Sequence, residues 1–239
     1  MESYQDLINA ITITLGASWA SGINLYATLL VCGLAGATGH YDLPPDLAVL
    51  SNPLVILGAG IMFVVEFIID KIPGVDSAWD AVHTFVRIPA GAAIAAGFAG
   101  DAGQVNEIVA GILGGGMTAS AHAAKASTRA LINTSPEPFS NWITSITEDI
   151  AVIGALWTAV NHPFLLLGFL AVFLILLAWL LPKVWRGFRR IFRFLSGQSR
   201  REEATRLNAL KDLAELRASG ALSEVEFEAE KQKLLNATD

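Results

Sequence analysis

Charged side chains set inside long apolar stretches constrain this chain more than any other feature. From Leu7 to Leu181 one apolar stretch follows another. Yet Glu66, Asp70, Lys71, Asp80, His83, Arg87, Lys125, Arg129, Glu148 and Asp149 fall inside those stretches or at their edges. A charge near the centre of a bilayer costs about 3 kcal/mol on insertion scales. It is kept there by a partner, a water-filled cavity or a task. The pattern predicts an all-α polytopic membrane helix bundle with a polar interior.

Composition narrows the choice. With 53% hydrophobic residues the chain is not an ordinary soluble domain. A net charge of −6 excludes a general nucleic-acid binder, which needs a basic face. The single cysteine, Cys32, leaves neither a disulfide framework nor a thiolate metal site. The acidic start Met1–Asp6 and the length of the first apolar stretch predict a true span rather than a cleaved signal peptide.

About 20 apolar residues cross the hydrocarbon as a helix. Six segments qualify: Leu7–Ala37, Leu50–Ile69, Ala78–Ala99, Val105–Ile132, Ile143–Val160 and Pro163–Leu181. The first and fourth are long, and each has a soft centre, at Gly16–Gly22 and Gly114–Ser120. Such centres fit either a broken helix lining a site or close helix packing through small residues. Lys and Arg collect in the tail after Leu181 and around Lys71 and Lys125–Arg129, and are missing from Thr38–Asp46, Asp101–Glu107 and Asn161–His162. The positive-inside rule then puts both termini in the cytoplasm of a cell whose inner membrane holds six spans. Pro73, Ser77, Trp79, Thr84, Gly91 and Ala92 recur as Pro136, Ser140, Trp142, Thr147, Gly154 and Ala155, which suggests internal duplication.

The charges fall on helix faces, where positions three, four and seven apart align. Asp80, His83 and Arg87 form one stripe with Thr84, and His122, Lys125 and Arg129 form another. Glu66 and Asp70 stack at the end of the second span. Glu148 and Asp149 lie early in the fifth, and Asn24 follows the Gly-Ser stretch of the first. Under the predicted topology these residues line a cavity open to the cytoplasm. They could equally neutralise one another as an interhelical ion-pair network. Asp80, His83, Asp70 and Glu66 are metal-ligand types, but no tight ligand spacing accompanies them, so a metal remains open. Arg87, Lys125 and Arg129 are candidate anion binders.

Beyond Pro182 a basic-aromatic run, Trp185–Phe194, suits the cytoplasmic headgroup layer. A transmembrane domain over 1–195, a polar linker over 196–206 and a helical hairpin over 207–235 follow as the domain plan. The hairpin's first helix carries Leu207, Leu210, Leu213 and Leu216. Gly220 ends it, and Ser223 with Glu226 opens the second as a capping box. So short a pair cannot bury a core alone, so it docks on another copy or another protein.

Two family resemblances rest on quoted motifs. The stretch Leu207–Leu235, with Gly220-Ala221-Leu222-Ser223, Glu226-Phe227-Glu228 and Lys231-x-x-x-Leu235, resembles the short C-terminal domain SHOCT, which implies oligomerisation. The motifs Ser21-Gly22-Ile23-Asn24-Leu25-Tyr26-Ala27-Thr28, Asp70-Lys71-Ile72-Pro73-Gly74-Val75-Asp76-Ser77, Trp79-Asp80-x-x-His83-Thr84-x-x-Arg87-x-Pro89-Ala90-Gly91-Ala92, His122-Ala123-Ala124-Lys125-Ala126 and Asn133-x-Ser135-Pro136-Glu137-Pro138 resemble a bacterial membrane family, domain of unknown function 4126. That resemblance implies no activity.

The expected function is a secondary transporter or channel for a small ion or polar solute, with no cofactor and no enzymatic activity. Its site would use Asn24, Glu66, Asp70, Asp80, His83, Arg87, His122, Lys125, Arg129, Glu148 and Asp149, with Asp80, His83 and Arg87 central. The alternative is a non-transporting scaffold or sensor that oligomerises through its tail. The expected partners are the lipid bilayer, the solute and further copies of the chain, with no nucleic acid.

Overall fold

The computed structural model describes residues 2–100, 104–134, 138–195 and 198–236. The loop position Asp101 and the motif residues Ser135, Pro136 and Glu137 lie outside the described residues. The described chain is helical throughout: α1 (Glu2–Ile23), α2 (Leu25–Ala37), a 3-10 segment (Pro45–Ser51), α3 (Pro53–Ile69), α4 (Val75–Phe98), α5 (Gln104–Ile132), α6 (Pro138–Asn161), α7 (Pro163–Leu195), α8 (Gln198–Ala218) and α9 (Glu224–Asn236). It divides into two units, Met1–Leu181 and Pro182–Asp239.

Local chemistry sets the element ends. Asn52 accepts a hydrogen bond from Leu54 N at 2.9 Å and Pro53 occupies the first position of α3, where its missing N–H costs nothing. Pro138 and Pro163 open α6 and α7 in the same way. Gly39, at φ +71°, closes α2 with a bond from His40 N to Ala35 O at 2.9 Å. This is the left-handed stop that glycine permits.

In the first unit α1 lies at the centre, packed on α4, α5 and α6. Its Ile13, Ala17, Ala20 and Ile23 are buried with Val152, Ala155, Leu156 and Ala159 of α6 and Leu166 and Leu170 of α7. Trp19 meets Phe169 and Phe173 edge-on, at 5.2 and 5.9 Å between ring centres. Among the described residues three helices are long and apolar enough to cross a membrane, Val75–Phe98, Phe139–Asn161 and Pro163–Gly187. The 3-10 segment and α3, bent by 68°, form a fourth span if taken together. α1 and α5 are long enough at 22 and 29 residues but too polar to join that set. Away from their outer turns many of their polar residues face protein: Thr12, Ser18, Ser21, Thr118, His122, Lys125 and Arg129 are all buried.

The structure corrects the expected breaks. The first stretch does break, but at Asn24, past the glycine-serine run, where the backbone turns extended (φ −143°, ψ 101°). The fourth does not break: α5 runs unbroken through Gly114-Gly115-Gly116. These glycines let helices touch. A Cβ on Gly114 would collide with Ala95, and one on Gly115 would press on Ala92 at 3.2 Å. The close-packing alternative therefore holds for α5.

In the second unit α8 and α9 form a hairpin. The helix starts at Gln198, so most of the expected 196–206 linker is helical. Gln198–Arg206 contains neither Gly nor Pro and is rich in Arg and Glu, which favour helix. Gly220, at φ +74°, ends α8 with bonds from its own N to Arg217 O and from Ala221 N to Leu216 O, each 3.0 Å. Ser223 N and Oγ donate to Glu226 Oε2 at 3.0 and 2.7 Å, which opens α9 with the expected capping box. Arg217 bridges the two helices, 2.7 Å from Glu224 and stacked over Phe227.

Candidate functional site

Helix faces bring the polar residues of four helices onto the break in α1–α2. On α4, Asp76, Asp80, His83 and Arg87 fall on one buried face. α3 supplies Glu66 and its C-cap Asp70, α5 supplies His122, Lys125 and Arg129, and α6 supplies Asn141, Ser145, Glu148 and Asp149. The break itself creates ligands. Ala27 N–H bonds to Asn24 Oδ1 at 2.9 Å instead of to the carbonyl four residues back, so the Ile23 carbonyl is free to accept the Lys125 ammonium at 3.1 Å. The Asn24 amide then turns its nitrogen to Asp149 Oδ1 at 2.9 Å.

Three buried cations organise the carboxylates. Arg87 donates to Glu66 at 2.5 Å and to Asp80 at 2.7 Å. Lys125 reaches Asp70 at 2.8 Å and Glu66 at 3.2 Å, with Glu148 at 3.7 Å and Asp80 at 3.8 Å. Arg129 donates to Glu148 at 2.6 Å, to the Asp70 carbonyl at 2.8 Å and to the Asp70 carboxylate at 3.3 Å. The guanidiniums of Arg87 and Arg129 are fully buried. Charges withdrawn from water this completely persist only in such company.

Hydrogen-bond logic fixes the imidazoles. Arginine only donates, so His122 Nδ1, 3.1 Å from Arg87, accepts and its proton sits on Nε2. That nitrogen meets the Thr84 hydroxyl at 2.7 Å, and Thr84 passes its own proton to the Asp80 carbonyl at 2.9 Å. His83 is different. Its Nδ1 donates to Trp79 O at 3.0 Å, its Nε2 lies 3.1 Å from the Tyr26 hydroxyl, and its ring stacks on Trp79 at 3.9 Å. The expected Asp80–His83–Arg87 centre is therefore split: Asp80 and Arg87 pair, whereas His83 turns to Tyr26 and Trp79.

Tyr26, Asp76 and Asn133 stood in the quoted motifs but not among the expected site residues, and Asn141 stood in neither. Asp76 is buried and accepts from Gly74 N at 2.8 Å, Ser77 N at 2.7 Å and Asn133 Nδ2 at 2.9 Å. Asn141 in turn donates to Asn133 at 3.1 Å. These bonds tie the α3–α4 turn to the start of α6. The readable signal was an Asp two residues after Gly74, in what is the first turn of α4.

A crevice of about 290 Å³ opens beside the network, between α1, α5 and α6. Trp19, Ile23, Ile143 and Ala151 give it apolar walls, and Lys125 and Glu148 stand at its polar side. The space lies by Lys125 and Glu148, not by His83. Among the described residues no group of three or more His, Cys, Asp or Glu is placed to hold a metal ion. The candidate anion binders Arg87, Lys125 and Arg129 are all engaged by carboxylates.

The family model described as domain of unknown function DUF4126 matches residues 11–183, and that of the short C-terminal domain SHOCT matches residues 208–235. No curated protein and no solved structure matches the chain.

Proposed function

This chain belongs to the DUF4126 family and carries a SHOCT module at its C-terminal end, and from that premise we propose that it is a multi-pass membrane protein that moves a small ion or polar solute. The site is a polar core in the membrane interior, reached from the cytoplasmic side. One observation carries this reading: a helix broken at Asn24 faces a buried carboxylate, Asp149, midway along an apolar helix. Irregular backbone at membrane depth is tolerated where it is buried in protein or lines a cavity, and transporters use such breaks to bind their cargo. The crevice beside Lys125 and Glu148 gives that core a route of access.

Six crossings in a bacterial inner membrane, with both termini cytoplasmic, fit this function. Lys183, Arg186, Arg189 and Arg190 follow the last span, and Lys71 and Arg129 end the second and fourth. Duplication of a helical hairpin fits as well. From Ile69 to Ile132, from Val75 to Pro138 and from Phe98 to Asn161 the interval is 63 residues each time, so α3–α4 and α5–α6 share their turn and their last boundary. The same interval superposes the sequence echo from Pro73 to Ala92 on Pro136 to Ala155. Parallel repeats of this kind are common in transporters.

The second reading is a scaffold held together by its ion pairs. It is favoured by the pairing of all three core cations, Arg87, Lys125 and Arg129. Electrical recording on a solid-supported membrane separates the two. Proteoliposomes of the full chain, stepped through protons, sodium, potassium, chloride, phosphate and amino acids, should give a current with at least one that empty liposomes lack. Silence with every solute overturns transport in favour of the scaffold.

A further inference from the structure

Of the acids in the polar core, one stands apart. Glu66, Asp70, Asp76, Asp80 and Glu148 each have a lysine or arginine nitrogen within 3.9 Å. Among the described residues Asp149 has none inside the 4.0 Å limit of an ion pair. Its Oδ1 accepts from the neutral Asn24 amide, and its Oδ2 is buried without a hydrogen-bond partner. The residue is only 9% exposed. The core thus sets six carboxylates against three cations, and Asp149 is the carboxylate left to a neutral partner.

We propose that Asp149 is a proton-binding site in the membrane interior. The proposal rests on the membrane reading above and names the ion that the site takes. A carboxylate withdrawn from water and without a cation is costly, and a proton removes that cost without a further side chain. The step is simple in its balance: an O–H bond forms at Oδ2 with a proton taken from water, Oδ1 keeps the Asn24 hydrogen bond, and nothing is oxidised or reduced. The charged groups around Asp149 are Lys125 of α5, Asp70 and Glu66 of α3, Lys71 just past the end of α3, and Glu148 beside it on α6. With Asp149 protonated, Lys125 is left to Asp70 and Glu66, its nearest partners. Ser145 lies one helical turn before Asp149, about 6 Å along the axis, and its hydroxyl accepts from Lys71 at 3.4 Å, at the partly exposed end of the α3–α4 turn.

Infrared difference spectroscopy of the full chain in lipid tests this. At neutral pH the wild type should show the C=O stretch of one protonated carboxylic acid, and labelling aspartate side chains with carbon-13 should shift it. Asp149→Asn, which keeps the acceptor for Asn24, should lose the band and release one proton fewer per chain on titration from neutral to alkaline pH. A missing band, a band unmoved by aspartate labelling, or a band that persists in Asp149→Asn overturns the site. The labelling result needs only the wild type, so a missing or unmoved band overturns the site even if the variant does not fold. A sodium- or potassium-dependent rise in thermal stability that replaces the band also overturns it, in favour of a metal cation. The band without any current would defeat transport and leave the proton site, whereas a current without the band would do the reverse.

Discussion

Arg87→Met is the most informative single change to the network. The guanidinium is fully buried and holds Glu66 at 2.5 Å and Asp80 at 2.7 Å. Methionine fills similar space and bonds neither, so two carboxylates lose a cation. Breaking a buried pair by removing one partner costs about 3–5 kcal/mol, and Lys125, already 3.2 Å from Glu66, compensates only in part. The upper half of that range is expected. Asp80→Asn is the contrast. It leaves Arg87 its bond to Glu66 and removes one charged hydrogen bond, worth about 1.5–3 kcal/mol. Adding Glu66→Gln to Arg87→Met should recover at least about 1 kcal/mol, because it removes a stranded charge. Reversible unfolding by SDS in mixed micelles reads all four proteins. Equal losses for Arg87→Met and Asp80→Asn, or a double variant no better than the single, would refute a network centred on Arg87.

Other perturbations test other parts of the structure. Gly114→Ala should destabilise by about 1–3 kcal/mol through overpacking, since its methyl meets Ala95, whereas Gly116→Ala, with open space around it, should be neutral or stabilising by up to about 1 kcal/mol; a loss at Gly116 as large as at Gly114 would argue against an unbroken α5. In the tail, the Ser223 hydroxyl and backbone N–H hold the Glu226 carboxyl below its usual range. A lowered folded value means that its stabilisation is present above the unfolded value and is lost as pH falls through the folded one. Protection of the Ser223 amide, its exchange relative to that of an unstructured chain at the same pH, should therefore fall under acid conditions and stay constant near neutrality; Glu226→Gln should abolish the acid step, and an acid step that survives it would assign the titration to another group. With Cys32 replaced by serine, cysteines at Asp42 and Asp101 should label from the periplasm and one at Ser199 should not. Labelling of Ser199 from outside would overturn the topology.

The sequence announced the polar core but not its wiring. Helical spacing correctly placed Asp80 and Arg87 on one face of α4, seven residues apart. The same spacing put His83 beside them, although its ring rotates to Tyr26, 57 residues away in the chain. Periodicity assigns a face, and the neighbouring helix decides which way along that face a side chain turns. The break shows the same limit. Gly16–Gly22 has low helix propensity and invited a break, but Gly22 is packed under the Thr118 carbonyl and stays helical. Asn24 breaks the chain because its side chain caps α2 and holds Asp149, a partner 125 residues distant. The tail was more legible because its signals are local: Gly220 and the Ser223–Glu226 pair each act within one helix end.

The central claim is that a polar core in the membrane interior is reached from the cytoplasmic side through the crevice between α1, α5 and α6. Ala151 lines that crevice, midway along α6, whereas the adjacent Ile150 is 64% exposed on the apolar outer surface. In a Cys32→Ser background, cysteine at 151 should react with a membrane-impermeant thiol reagent added from the cytoplasmic side of inside-out vesicles, and cysteine at 150 should not. Equal silence at both positions, or reaction at 151 only from the periplasmic side, would contradict it.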